Sequence, residues 1–374
     1  MKFDTQSVVR RKIFLIDGSI SVTGAFISAR DMARVLRANT DVVLFLPRHS
    51  KISVSNLSDF SEVHYLPISP LRRSFSSIIK YIPNLVRSTW MLHRITRCYP
   101  DGFLLVNDFY LIQGHLLRVL GHHRSIITWL RINPKTFREA GKIWLWFTAR
   151  FSDHVVAVSE YVRGFLPQQV SSHLLYDPVS AEFLLPSTNA GFDSLVFVFL
   201  GNYIPGKGQD VALESFARLL VYFPSARLKF YGSDMGLSGN KLYLKSLINR
   251  AAELDISEAV SFGGFVEDVR VKLVGAFAAL NLSRSEAFSR TVLEACAAGL
   301  PVIATRCGGP AEILIDGVTG LMVPVDDVEA CVMAMRTLCS EPSRASKMGC
   351  AAREHVMKNF SPQSFSKNLL RLLE

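Results

Sequence analysis

Long apolar runs, paired cysteines and dinucleotide-binding glycine patterns are all absent from this sequence of 374 residues. Hydrophobic residues make up 49%, yet no run approaches the roughly 18 to 20 apolar residues that cross a bilayer, and the N-terminus lacks a signal-peptide pattern. We therefore expect a cytoplasmic protein. The six cysteines stand at scattered spacings without a CxxC pair or zinc-finger histidines, so we expect reduced thiols and no metal site.

Two nucleotide-binding motifs are also missing. The loop after the first predicted strand reads GSISVTG rather than GxGxxG, which argues against a dehydrogenase. The turn GNYIPGKG ends in Gly208, where a P-loop requires Ser or Thr. No clear Asp-x-Asp pair for a metal is present either.

Positive charge is concentrated in the first half. Residues 1–190 hold 23 Lys and Arg against 13 Asp and Glu, whereas residues 191–374 hold 19 of each. The densest part, residues 71–97, mixes basic and large apolar side chains, which suits an anionic membrane surface or a lipid-linked substrate. A solvated helix with its apolar side in the core is the alternative. Nucleic acid is not expected, because no binding module accompanies the charge. The basic residues are Arg72, Arg73, Lys80, Arg87, Arg94 and Arg97.

Apolar strands alternate with helical patterns in two series, separated by a polar linker at about 177–193. This alternation predicts parallel sheets covered on both faces. We therefore predict the α/β class, with two doubly wound Rossmann-like domains, 1–188 and 189–374, facing each other across a cleft. The clearest strands are predicted at 12–17, 42–47, 102–108, 125–130, 154–159, 195–201 and 226–233.

Glu286 and Glu294 stand eight positions apart where a loop is predicted to run into a helix. A carboxylate accepts hydrogen bonds from neighbouring hydroxyls, and a helix start favours an anion. The layout therefore suits a polyhydroxylated, phosphorylated ligand. Solvent-facing or structural glutamates are the alternative, but Glu294 has small and apolar neighbours, among which a carboxylate is costly without partners.

Four further residues are candidates. Lys207, near the start of a predicted helix, suits a diphosphate, although a surface lysine is the alternative. Asp108 closes the strand GFLLVND, at the end where such sheets bind ligands, or else it caps a helix. Gly18 and Gly24 would let the backbone approach a ligand closely.

The segments GNYIPGKGQDVALESF, FGGFVEDV and EAFSRTVLEACAAGLPVIATRCGGPAEILIDGVTGLMVP resemble the nucleotide-binding domain of retaining glycosyltransferases of family 4, glycosyl transferases group 1. Glu286, seven residues, then Glu294 matches that family's paired-glutamate motif. The resemblance covers the second half and is weaker in the first. It implies the GT-B fold, with an acceptor-binding first domain and a donor-binding second domain whose last helix, about 361–374, packs back on the first.

The resemblance also implies roles. Glu294 would bind the ribose, Glu286 with the backbone around Phe288 and Ser289 would hold the donor sugar, and Lys207 would neutralise the diphosphate. Transfer would retain the anomeric configuration, the leaving phosphate would help deprotonate the incoming hydroxyl, and no metal or cofactor would be needed. The remaining donor-binding candidates are Gly24, Gly201 and Asn202.

This chain departs from the family pattern at two places. Asn202 stands where an arginine is usual, so one diphosphate cation is missing, and Arg284 or Arg290 either replaces it or is solvated. Arg131 follows the strand SIITWL where the family often has a histidine, and it is a candidate contact to the donor phosphate or the acceptor.

We therefore expect a retaining hexosyltransferase that uses a nucleoside diphosphate sugar and a glycan acceptor, lipid-linked, in polysaccharide or lipopolysaccharide synthesis at the inner membrane face. The alternatives are a nucleotide-sugar epimerase or sugar-phosphate synthase on the same fold, and a non-catalytic sugar-nucleotide or glycan-binding protein. The sequence indicates no oligomeric state.

Overall fold

The computed structural model describes residues 10–69, 75–99, 102–184 and 194–373. The chain forms two compact units, one of residues up to Tyr176 together with those from Ser366, and one of residues Asp177–Phe365. Arg72 and Arg73 of the basic segment, and residues 185–193 of the predicted linker, lie outside the described residues.

The first unit alternates strands and helices along the chain. Its elements are β1 (Arg11–Ile16), α1 (Gly24–Leu36), β2 (Thr40–Pro47), β3 (Glu62–Leu66), α2 (Phe75–Thr96), β4 (Phe103–Val106), α3 (Gln113–Leu116), β5 (Ile126–Leu130), α4 (Glu139–Phe151), β6 (His154–Ala157), α5 (Glu160–Arg163) and β7 (Ser172–Leu174).

The strands of the first unit pair in parallel, in the order β3-β2-β1-β4-β5-β6-β7. Central strands are apolar on both faces because helices cover both sides, and Phe14, Phe45 and Trp129 are fully buried. The order reverses between β1 and β4. The carboxyl ends of these two strands therefore border the crevice in which doubly wound sheets bind ligands.

The second unit repeats the alternation. Its elements are β8 (Val196–Leu200), α6 (Gln209–Leu220), β9 (Arg227–Tyr231), α7 (Ser238–Glu253), β10 (Val260–Gly263), α8 (Arg270–Leu273), β11 (Ala278–Asn281), α9 (Arg290–Ala297), β12 (Val302–Thr305), α10 (Pro310–Ile313), β13 (Gly320–Val323), α11 (Val328–Ser340), α12 (Pro342–Asn359) and α13 (Pro362–Leu373), whose residues from Ser366 group with the first unit.

The second sheet is also parallel, in the order β10-β9-β8-β11-β12-β13. Phe197 lies edge-on to Phe277, which directly precedes the neighbouring strand β11, with ring centroids 5.6 Å apart, and Phe216 of α6 packs against the same cluster. Each such ring stabilises the fold by about 1.5–3 kcal/mol through burial. The order reverses between β8 and β11. The predicted α/β class with two doubly wound sheets is confirmed.

Candidate functional site

The loops that follow β8 and β11 carry the site of the second unit. β8 and β11 are the neighbouring strands at which the order of the sheet reverses, and their carboxyl ends open onto the ligand crevice of such a sheet. Lys207 lies in the loop after β8, and Glu286 lies in the loop after β11. The topology therefore brings together two candidates that are 79 residues apart in the sequence.

The turn after β8 is held by its own polar groups. The side-chain oxygen of Asn202 accepts the backbone N–H of Ser233 at 3.0 Å, and its carbonyl accepts the Gln209 amide at 3.0 Å. Asn202 is therefore used to fasten this turn to the end of β9. Gly201 has ordinary room for a Cβ, whose nearest neighbour in the described chain would be 3.5 Å away.

Lys207 and Glu286 form an ion pair. The Lys207 ammonium donates to Oε1 of Glu286 at 2.7 Å, and the Ser283 hydroxyl donates to the same oxygen at 2.8 Å. The side chains of Lys207 and Glu286 are 32% and 15% exposed, so both remain within reach of a ligand. The pair places a cation with further N–H groups beside a fixed carboxylate.

The loop from Glu286 to Ser289 is fixed by a neighbouring glycine segment. The N–H of Gly309 donates to the Glu286 carbonyl at 3.0 Å, and a Cβ on Gly309 would lie 2.2 Å from the Cα of Phe288. The Phe288 ring is buried against Phe360, with centroids 5.8 Å apart. Phe288 therefore presents backbone rather than its ring to a ligand.

Ser289 is held in a left-handed conformation at the start of α9, with φ of 88°. Asn281, the last residue of β11, donates its amide to the hydroxyls of Ser289 and Thr291, both at 3.1 Å. Asn281 thus positions the turn that begins α9. The sequence prediction missed this residue, although a polar side chain at the carboxyl end of a buried strand signals such a position.

Glu294 lies on α9 and is only 7% exposed. Arg290, one turn earlier, lies 3.7 Å from its Oε1 and donates to the Ser180 hydroxyl at 2.8 Å. Arg290 is therefore buried rather than solvated. Arg284, in contrast, pairs with Asp210 and Asp326 on the surface, and these carboxylates neutralise its charge.

Asp108 and Arg131 lie together in the first unit. The backbone N–H of Arg131 donates to Oδ1 of Asp108 at 3.3 Å, and its guanidinium donates to Asn107 at 2.7 Å. Asp108 also accepts the N–H of Phe109, so its contacts join strands rather than cap α3. Gly24 is the exposed first residue of α1.

Within the described residues, no helix is long and apolar enough to cross a membrane. No group of three or more His, Cys, Asp or Glu side chains there is arranged to hold a metal ion. The cysteines are free thiols. Burial raises the pKa of Cys307, beside Glu286, to about 11, so this thiol is protonated at neutral pH.

The chain is similar to known glycosyltransferases in sequence. It is 31% identical over 245 residues to a GDP-mannose-dependent alpha-(1-6)-phosphatidylinositol monomannoside mannosyltransferase of Mycolicibacterium smegmatis. The aligned region covers 59% of this chain and 62% of that protein. It is 28% identical over 181 residues to the lipopolysaccharide core biosynthesis glycosyltransferase LpsE of Rhizobium meliloti. That alignment covers 48% of this chain and 50% of the relative. The chain thus spans between half and two thirds of the length of these relatives.

The fold is similar to that of a solved structure, Anabaena HepE in complex with UDP-glucose, with a TM-score of 0.83 at 18% identity over 97% of this chain and 99% of that one. Residues 182–355, which include Lys207 and both glutamates, match the family model of glycosyl transferases group 1. The resemblance of the second half to the glycosyl transferases group 1 family is accordingly confirmed, and the chain has the GT-B fold.

Proposed function

We propose that this protein transfers a hexose-type unit from a nucleoside diphosphate sugar to a hydroxyl of a glycan acceptor, with retention of the anomeric configuration. The observation that carries the proposal is the ion pair of Lys207 and Glu286 at the switch point of the second sheet. Similar proteins named as mannosyl and lipopolysaccharide core transferases support it.

Lys207 suits the diphosphate. Its ammonium has three N–H donors, of which one is directed at Glu286. We assign the other two to phosphate oxygens, because the Lys207 side chain is 32% exposed and can keep its bond to Glu286. The start of α9, at Arg290, adds the partial positive charge of a helix N-terminus.

The two glutamates suit hydroxyl groups. Lys207 and Ser283 both donate to Oε1 of Glu286, so we assign its Oε2 to a hydroxyl of the donor sugar. Glu294 is buried beside Arg290, and we assign its carboxylate to the ribose hydroxyls. A carboxylate that accepts two neighbouring hydroxyls is a strong, directional contact.

In the proposed reaction, the bond from the anomeric carbon to the phosphate oxygen breaks. A bond to the acceptor oxygen forms on the same face, and the hydroxyl proton passes to the departing phosphate. Lys207 stabilises the charge that develops on this phosphate, which is the largest electrostatic task of the reaction. We propose that no metal or cofactor takes part, so EDTA is expected to leave the rate unchanged.

Nucleotide binding tests the site. The melting temperature is measured with UDP, GDP, ADP and their sugar conjugates for the wild type, Glu294→Gln and the exposed control Glu258→Gln. A ligand at one hundred times its Kd stabilises the folded protein by about 2.7 kcal/mol. We expect one base to raise the melting temperature of the wild type and the control, and the increase to be lost in Glu294→Gln.

Product analysis by NMR then separates the reaction classes. Transfer to an acceptor with retained configuration supports the proposal. Conversion of the donor without an acceptor would identify an epimerase instead. Donor binding without turnover on any acceptor extract would identify a binding protein, and the absence of any nucleotide effect on the folded wild type would refute the site.

We further propose that the acceptor is lipid-linked and that the first unit binds an anionic membrane surface. Four large apolar residues on one face of α2 are 55% to 64% exposed, and Arg87 and Arg94 flank them. On α4, Ile143 and Trp146 are likewise exposed. Tyr81 of α2 lies close to Trp144 of α4, so the two helices are neighbours. The exposed α2 residues are Ile79, Ile82, Val86 and Trp90.

This mixture of apolar and basic groups supports interfacial binding, since apolar side chains enter the headgroup region while arginines attract anionic lipids. Co-sedimentation with vesicles containing phosphatidylglycerol tests it. We expect Arg87→Gln with Arg94→Gln, and separately Trp146→Gln, to reduce binding at least several-fold, while Val221→Gln, an exposed apolar position of the second unit, leaves it unchanged. Equal binding by all variants would refute this part.

A further inference from the structure

The first unit has a polar cluster at its own switch point, where the strand order reverses between β1 and β4. Asp17 follows β1, Asn107 and Asp108 follow β4, and Arg131 follows β5. All four side chains are buried, with at most 7% exposed. Three adjacent strands thus contribute charged or amide groups at the sheet edge where doubly wound folds bind ligands.

Hydrogen bonds fix three members of this cluster. The Asn107 amide donates to Oδ2 of Asp17 and to the Ala25 carbonyl, the second at 3.0 Å. The Arg131 guanidinium donates to the Asn107 side-chain oxygen at 2.7 Å. Asp17, Asn107 and Arg131 therefore form a connected frame.

Asp108 differs from the rest of the cluster. Its Oδ1 accepts the backbone N–H of Phe109 at 2.9 Å and of Arg131 at 3.3 Å. Its Oδ2 is buried and has no hydrogen-bond partner within the described part of the chain. A buried carboxyl oxygen without a donor is costly, and the donor group of a ligand would remove this cost.

The charges around Asp108 select the kind of donor. Asp17 and Asp108 together disfavour a phosphate, and the Arg131 guanidinium disfavours an ammonium group. A neutral hydroxyl remains, and it donates to a carboxylate in a strong, charge-assisted bond.

We propose that Asp108 binds a hydroxyl group of the sugar acceptor through Oδ2, at the β1–β4 switch point of the first unit. The inference rests on the proposed transferase function. It assigns the acceptor, a polyhydroxylated glycan, to a defined carboxylate of the first unit, while the donor contacts lie in the second.

Protonation gives this contact a characteristic pH dependence. Burial, with a smaller contribution from Asp17, raises the pKa of Asp108 to about 7, against the opposing effects of the two backbone N–H groups and Arg131. The carboxylate, which is the stronger acceptor of a hydroxyl proton, therefore forms as the pH rises through about 7. We therefore expect kcat/KM for the acceptor to rise over the same pH range.

The test compares three quantities in the full-length wild type, Asp108→Asn and Asp41→Asn. They are the Kd of the nucleotide found by the thermal experiment, the rate of donor hydrolysis without acceptor, and kcat/KM for the acceptor from pH 5.5 to 8.5. Asp41 is a matched control, because it lies at the amino end of β2, on the opposite edge of the same sheet.

For Asp108→Asn we expect kcat/KM for the acceptor to fall about 10- to 100-fold, as for the loss of a hydrogen bond to a charged group, and its inflection near pH 7 to disappear. Nucleotide Kd and donor hydrolysis should remain within about threefold. Loss of nucleotide affinity to the same extent, an unchanged inflection, or an equal effect of Asp41→Asn would overturn the inference. A wild-type protein that binds no nucleotide would instead refute the proposed function.

The wild-type profile alone provides a second test that no folding defect of a variant can obscure. An inflection near pH 7 in kcat/KM for the acceptor, absent from donor hydrolysis, supports the assignment to the acceptor. The same inflection in both reactions would place the titrating group on the donor side and overturn it.

Discussion

Replacing Gly208 by alanine is expected to destabilise the second unit more than replacing Gly206, although both glycines are left-handed residues of one turn, with φ of 86° and 93°. This conformation costs an L-residue about 1–2 kcal/mol. A Cβ on Gly206 meets no described atom within 4 Å, whereas one on Gly208 would lie 2.0 Å from the carbonyl oxygen of Leu282. Relief of that overlap moves backbone and adds about 1–3 kcal/mol.

We therefore expect urea unfolding to give losses of about 1–2 kcal/mol for Gly206→Ala and about 2–5 kcal/mol for Gly208→Ala. Leu282 begins the loop that carries Glu286, and Lys207 precedes Gly208, so the second substitution should also weaken nucleotide binding. Equal losses from the two substitutions, within about 0.5 kcal/mol, would refute the argument that Gly208 is required by the close approach of these two loops.

Three further outcomes are expected. Asn281→Ala removes both hydrogen bonds that hold the start of α9 and should lower stability by about 1–2 kcal/mol and weaken nucleotide binding, as measured by calorimetry. Lys207→Ala should reduce kcat about 10²- to 10³-fold in a transfer assay, because one stabilising group of the leaving phosphate is lost, and Lys241→Ala, exposed on α7, should not. Because the pKa of Asp108 is raised, the folded state holds a proton that the unfolded state releases. The free energy of unfolding therefore falls as the pH rises from 3.8 to about 7. Asp108→Asn removes this fall, and its stability relative to the wild type should increase by about 2–3 kcal/mol between pH 5 and pH 8 in urea unfolding.

Most of the strands predicted from the sequence are buried on both faces, and β9, whose buried residues alternate with more exposed ones, is the exception among those listed above. β1 and β8 are continuous apolar runs, which only a central parallel strand or a buried helix explains. β3 was not predicted, because it lies at a sheet edge and only Leu66 among its five residues is buried. β7, the opposite edge, has three residues and none that is buried. Edge strands carry the weakest periodic signal, since a neighbour covers them on one side only.

Sequence reasoning placed Lys207 and Glu286 each at the end of a strand, and their pairing follows only from the order of β8 and β11 in the sheet. The role of Asn281 could not be predicted from the sequence. Its partners, Ser289 and Thr291, come within reach only because the loop between β11 and α9 folds back toward the end of β11. The sequence left open whether Asp108 caps a helix, and in the structure it instead accepts the backbone N–H of Arg131, directly after β5.

The two switch points differ in charge, and this difference supports the different ligand groups that we propose for them. In the second unit, the Lys207 ammonium keeps further donors for an anion beside Glu286. In the first unit, the guanidinium of Arg131 is turned toward Asn107, and two carboxylates, Asp17 and Asp108, lie in the same cluster. The first arrangement suits a diphosphate better than the second does, because the two carboxyl groups of the second offset the charge of Arg131. The proposed reaction needs a site for an anionic leaving group and a site for a neutral nucleophile, and this difference supports our placing the diphosphate in the second unit and the acceptor hydroxyl in the first.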